Sequence, residues 1–291
     1  MGSPTSSIGF KAPPACCVAW CIDRRAVVRR GLGALALCLG VVLQARAQPP
    51  PPQVGDTADR PGFADSPILL GRGQIQVESG VAREHEGGGD GLTKTLTWPQ
   101  LELHAGVAPR LEVSLAWDGA STVATTAGSD PKARSTGWAD VRLGAKFGLV
   151  NRPRADAALI GYVELPVGSD AVSSGYADPL VRFAWGISLS DRIALSGTAD
   201  LGAAQETDGR VRPKPAASAA LGTTVVRALN GFAGVVVESP AIGSTPEVWS
   251  IEGGVMLPVG GRTQIDVWVS RRVAGGPDDW FVGAGFVCRL R

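Results

Sequence analysis

The stretch Gly137–Gly168 reads GWADVRLGAKFGLVNRPRADAALIGYVELPVG, and its pattern decides the fold. Val141, Leu143, Ala145, Phe147 and Leu149 alternate with Asp140, Arg142, Gly144, Lys146 and Gly148. A period of two puts the first set on one face of a strand and the second on the other. Asn151-Arg-Pro-Arg154 breaks the alternation as a tight turn does. Ala157, Leu159, Gly161, Val163 and Leu165 resume it, with Tyr162 and Glu164 between them. Each arm is about 10 residues, the length with which a tilted strand crosses a bilayer.

The same alternation recurs on both sides of this hairpin. Strands are expected near 74–83, 94–107 and 111–118 before it, and near 179–189, 193–203, 215–227, 232–238, 249–257, 264–269 and 280–290 after it. Pro99 cannot donate to a ladder, so a bulge or a late start to pairing is expected there. Connections alternate: short ones at 108–110, 151–154, 190–192, 228–231 and 259–261, long ones between, including 84–91, 119–136 and 166–177. Outer-membrane barrels show this asymmetry and require an even strand number, here about 12. With 39 glycines and no run of eighteen apolar residues, the chain offers no membrane-spanning helix.

Apolar faces carry almost no charge. The opposite faces hold Glu78, Glu102, His104, Glu112, Asp140, Arg142, Lys146, Glu164, Arg182, Asp200, Glu252 and Asp266. In hydrocarbon a sheet survives only if it closes, and then its lipid-facing side is the apolar one. A soluble barrel would reverse the two faces, and alternation alone does not say which is inside. Trp98, Trp117, Trp138, Trp249, Trp268 and Trp280 fall near the strand ends that adjoin long connections, as an interface girdle does; Trp185 is mid-strand. These positions favour a transmembrane antiparallel up-and-down β-barrel over residues 73–291. The twelve charged and polar positions then line its lumen, where they either pair and fill the interior or line a route and bias what passes.

The N-terminal region reads as a leader. Arg24, Arg25, Arg29 and Arg30 precede the apolar run Gly31–Leu43, and Ala45-Arg-Ala47 follows, giving a signal peptide over 1–47. Four of the five cysteines lie inside it, leaving Cys288 alone and no disulfide framework. The leader also holds six basic residues and Asp23, so 22 basic and 26 acidic residues follow it, a net charge of about −4. That balance argues against nucleic acid, which requires a clustered basic face. Residues 48–72 begin with Gln-Pro-Pro-Pro-Pro-Gln and read as a stiff linker and periplasmic N-terminal segment.

Several motifs together carry a family resemblance. They are Asp59-Arg-Pro-Gly-Phe63, Ser66-Pro67, Gly73-x-Ile-Gln-Val-Glu-Ser-Gly80, Trp98-Pro-Gln-Leu-Glu-Leu103, Arg110-Leu-Glu-Val113, Gly137-Trp-Ala-Asp-Val-Arg-Leu-Gly-Ala-Lys-Phe147 and Glu164-Leu-Pro-Val-Gly168. The chain from Asp59 to Arg291 resembles the outer-membrane transporter family named for the MetA pathway of phenol degradation. The resemblance implies a small barrel in the bacterial outer membrane that passes small organic solutes, hydrophobic or aromatic, without a cofactor. Its other partners would be outer-membrane lipid and the insertion machinery. That machinery usually reads a terminal aromatic residue, whereas this chain ends Gly285-Phe-Val-Cys-Arg-Leu-Arg291.

Catalytic and metal motifs are weak. His85 lies in a glycine-rich stretch beside Glu84 and Glu86, short of the ligands a metal needs, and reads as solvated loop. His104 shares its face with Glu102 and reads as a lumenal hydrogen-bond partner. Ser114 is conceivable across strands as a nucleophile, but no local motif supports it. Gly87-Gly-Gly89 lacks the strand-to-helix setting of a phosphate loop. No catalytic residue is assigned, and the chain is not expected to be an enzyme. A plugged structural barrel and a soluble periplasmic β protein are the competing readings.

Overall fold

The computed structural model describes residues 54–88, 91–126, 133–205, 210–226, 229–239, 247–276 and 278–290; the expected signal peptide lies outside them. All belong to one compact unit, Ala47–Arg291. After a short 3₁₀ turn, Val54–Thr57, the described structure is built from fourteen strands. They are β1 (Ile75–Gly88), β2 (Gly91–Ala108), β3 (Leu111–Trp117), β4 (Ala120–Thr126), β5 (Ala133–Trp138), β6 (Val141–Arg152) and β7 (Ala155–Leu165). The remainder are β8 (Asp178–Ser188), β9 (Ile193–Gln205), β10 (Val211–Val226), β11 (Leu229–Glu238), β12 (Val248–Val259), β13 (Thr263–Ala274) and β14 (Asp279–Arg289).

Twelve of these strands form one closed antiparallel barrel. Each pairs with the next around the ring, β3 pairs with β6, and β14 returns to β1 from Gln76↔Arg289 to Glu86↔Asp279. Closure leaves no strand edge within the wall, the condition for a sheet in lipid. The other two strands, β4 and β5, form an additional hairpin. β2 is long enough to pair with β3 over Leu101–Ala108 and with β4 over Leu92–Trp98. The handover falls at Pro99, where the β1–β2 register shifts between Gly80 and Ala82. The expected bulge is therefore present, and it reverses the inward and outward parity along β2.

Two expected loops are replaced by strand. Residues 84–91 continue the β1–β2 hairpin up to Gly88↔Gly91, and 119–136 contains β4 and most of β5. Polar alternation in these stretches is too short to read as strand from sequence, and the ladder of a neighbour extends it.

Orientation follows the membrane reading. Leu143, Phe147, Leu159 and Ile265 are 42–48% exposed on the outer wall, while Glu78 and Lys146 are 1% and 3% exposed inside. Apolar belt outside and charge inside is the arrangement that lipid selects. A small apolar cluster of Ile160, Tyr162 and Ala184 packs on the inner face of β7 and β8.

Candidate functional site

The barrel interior is occupied by the chain's own residues 54–72. This segment has no strand period, so its backbone groups must find partners on the wall. Thr57 donates through Oγ1 to Gln76 Oε1 at 2.8 Å and accepts from Arg289 Nη2 at 2.6 Å. Asp59 follows; its carboxylate accepts from Lys146 Nζ at 2.8 and 3.0 Å, and its own N–H donates to Glu78 Oε1 at 3.1 Å. Arg60 reaches Asp266 Oδ1 at 3.1 Å and Gln100 Oε1 at 3.3 Å. It can do so because the wall beneath is glycine: a Cβ on Gly80 would stand 2.6 Å from Arg60 Nη1.

The segment then turns at Gly62, whose φ is 108°, a region that favours glycine. Phe63 N–H donates to Glu252 Oε2 at 3.0 Å, and its ring lies under Arg182, 5.1 Å from guanidinium to centroid. Asp65 accepts from Tyr162 Oη at 2.7 Å and pairs with Arg182 Nη1 at 2.8 Å. Leu70 N–H ends the series on Glu112 Oε2 at 2.7 Å. Nine of the twelve barrel strands thus meet this one segment. Such buried ion pairs add little net stability when formed, but stranding one partner costs several kcal/mol, on the order of 3–5.

Each sequence-expected lumen residue can now be placed. Glu78, His104, Glu112, Lys146, Arg182, Asp200, Glu252 and Asp266 are buried inside the wall. Arg182 holds Asp200 across β8 and β9 at 2.9 and 2.6 Å. Glu102 is 3.7 Å from Arg142 Nη2, and Arg142 lies over Tyr162 and faces Glu164 in the β6–β7 register. His104 Nδ1 is bonded to Glu112 Oε1 at 3.0 Å, not to Ser114, which stands directly opposite it in the register. Asp140 sits at the β5–β6 junction and ties down the 166–177 loop. It accepts from Gly168 N–H at 2.8 Å, Ser173 Oγ at 2.9 Å and Ser174 N–H at 3.1 Å. Burial alone would raise the Asp140 carboxyl, but these hydrogen bonds outweigh it and hold it below its ordinary value.

Three expectations need correction. Of the expected linker and periplasmic segment 48–72, residues 48–53 lie outside the described residues, and residues 54–72 lie in the lumen, where the wall's buried charges take partners from Asp59, Arg60 and Asp65. Trp268 does not join an outer girdle. It shares the inward parity of Gln264 and Asp266 and packs on Phe281, 4.3 Å between centroids. His85 is a strand residue, not a solvated loop, and it stacks on Trp280 at 4.8 Å. Of the remaining tryptophans, Trp98, Trp138 and Trp249 are exposed, and Trp117 stacks on Trp138 at 5.8 Å. Sequence reasoning missed the lumenal partners Asp59, Arg60, Phe63 and Asp65, although they lie in or beside the Asp59–Phe63 motif.

Two cavities lie inside the barrel, the first of them lined in part by the segment. One of about 520 Å³ lies towards the short-turn end, between the segment and the β8–β13 wall. Pro61, Ala64, Ile68, Phe232, Met256 and Pro258 supply the apolar part of its lining, and Asp65, Asp156, Asp191, Arg192 and Glu252 are among its charged residues. A polar one of about 230 Å³ lies towards the long-loop end, lined by Glu84, Asp118, Asp140 and Glu164 among others.

A closed twelve-stranded barrel with an apolar outer belt and a charged, occupied lumen is a transmembrane barrel of the outer-membrane type. Solved structures share the fold. An outer membrane channel from Pseudomonas putida F1 matches with a TM-score of 0.60 at 14% identity, over 76% of this chain and 97% of that one. The translocator domain of the autotransporter NalP from Neisseria meningitidis matches at 0.50 and 11% identity, over 91% and 96%. The transport unit of the autotransporter AIDA-I from Escherichia coli matches at 0.50 and 10% identity, over 75% and 90%. A search of curated protein sequences finds no match. The chain belongs to the family described as "Putative MetA-pathway of phenol degradation", which matches residues 58–290.

Proposed function

We propose that the protein is a passive outer-membrane channel for small organic solutes of hydrophobic or aromatic character, gated by its own residues 54–72. The observation that carries this reading is the cavity of about 520 Å³ between the segment and the wall, more apolar than polar in its lining. Ligand pockets for small molecules fall in this size range and have mostly apolar linings. The segment takes up Glu78, Lys146, Arg182, Glu252 and Asp266, which leaves fewer polar partners for a hydrophilic solute. Passive passage needs no cofactor. The partners are outer-membrane lipid, the insertion machinery and the solute itself.

The test is uptake of a radiolabelled monocyclic aromatic hydrocarbon by cells with and without the protein, beside a hydrophilic sugar of similar size. Faster uptake of the aromatic alone is expected. Equal aromatic uptake in both strains would remove the channel reading. The density of ion pairs to the segment favours a second reading, a permanently plugged structural barrel. Ion conductance unaffected by Arg142→Ala or Glu164→Ala would favour it.

A further inference from the structure

We propose that His104, Glu102 and Glu78 form a binding site for one divalent transition cation, of the zinc type, where the lumenal segment meets the wall. The site is independent of the transport reading. Glu78 and Glu102 stand directly opposite each other in the β1–β2 register. Like charges in that relation repel unless something of opposite sign lies between them. What lies between them is His104 Nε2, 3.6 Å from Glu78 Oε1 and 3.7 Å from Glu102 Oε1.

Three atoms here are buried without a hydrogen-bond partner among the described residues: Glu78 Oε2, Glu102 Oε1 and His104 Nε2. The side chains of His104 and Glu78 are each 1% exposed. Buried polar atoms are rarely left so, because each unmet one costs about 1–3 kcal/mol. Two ligands bound to one tetrahedral ion at about 2.0–2.2 Å lie roughly 3.3–3.6 Å apart, close to the two separations from His104 Nε2. Asp59 stands beside them, with one ligand atom each of Asp59, Glu102 and His104 within 4.8 Å of one another, while Lys146 holds both Asp59 oxygens.

The histidine is also prepared as a ligand. Its Nδ1 lies 3.0 Å from Glu112 Oε1, which leaves Nε2 as the ring nitrogen facing the two glutamates. This carboxylate–histidine pair orients the ring and raises its basicity as a ligand. Charge points the same way. Four acidic groups, Asp59, Glu78, Glu102 and Glu112, meet here, and the lysine and arginine within 4 Å of them, Lys146 and Arg142, are fewer. Imidazole with two carboxylates suits zinc better than the hard cations magnesium and calcium.

The test uses the full chain in detergent, affinity tag removed and stripped with EDTA. It is loaded with Zn²⁺, dialysed, and analysed for metal content. One zinc per chain is expected, retained against excess Mg²⁺, and Co²⁺ loading should give visible ligand-field bands. His104→Gln should lose the zinc, and Glu112→Gln should weaken binding about 10- to 100-fold. His85→Gln should bind as the parent does. Heat-modifiable gel migration verifies that each variant is a folded barrel. Should His104→Gln not fold, Glu102→Gln carries the same expectation. No zinc retained by the parent, or equal zinc in His104→Gln, would overturn the site and leave His104 an imidazolium bridging the carboxylates.

Discussion

Replacing Asp65 with alanine should release the lumenal segment while sparing the wall. Asp65 makes two contacts of consequence: it accepts from Tyr162 Oη at 2.7 Å and pairs with Arg182 Nη1 at 2.8 Å. Hydrogen bonds to charged groups contribute about 1.5–3 kcal/mol each. Arg182 is not stranded by the change, because Asp200 still holds it at 2.9 and 2.6 Å and Phe63 O at 3.2 Å. The net loss to docking is therefore set at about 2–3 kcal/mol, less than the two contacts summed. At 1.4 kcal/mol per decade, that raises the ratio of undocked to docked segment about 30- to 150-fold. Single-channel recording in planar bilayers reads this as a rise in open events, and limited proteolysis reads it as faster cleavage near Arg60. Asp278→Ala is the control, since its ion pair with Arg271 is exposed on both sides and should matter little. Unchanged opening and unchanged cleavage in a properly folded Asp65→Ala barrel would refute the idea that these side chains hold the segment in place.

Two further outcomes are expected. Leu143→Arg puts a charge on the lipid face, at a cost of about 2–4 kcal/mol if it lies at the bilayer midplane; heat-modifiable, membrane-inserted protein should fall, and normal insertion would contradict the orientation. Asp140 has a depressed folded value, so its contribution to the 166–177 loop is fully present at neutral pH. It is lost as pH falls below the ordinary carboxyl range of about 4 and through that depressed value. Hydrogen exchange at Gly168 and Ser174 should accelerate on acidification, and Asp140→Asn should abolish that pH response.

The alternation of Val141–Leu149 and its partners made the strands, their number and their membrane-crossing length legible without coordinates. Pro99 announced its bulge because a missing N–H is a local fact. Parity along each strand also separated Glu78, Glu112 and Lys146 from Leu143 and Phe147. Parity could equally have excluded Trp268 from the outer girdle, since it falls in step with Asp266.

Residues 54–72 were not legible in the same way. Periodicity reports a residue's relation to its own neighbours, and this segment has none. Its place depends on Lys146, 87 positions from Asp59, and on Asp266, 206 positions from Arg60. The sequence by itself settled which face of a strand such as Val141–Leu149 is greasy and which is charged, because that is written at a spacing of two. Only the closed barrel decided which charges meet, because closure brings residues from both ends of the chain around a common axis.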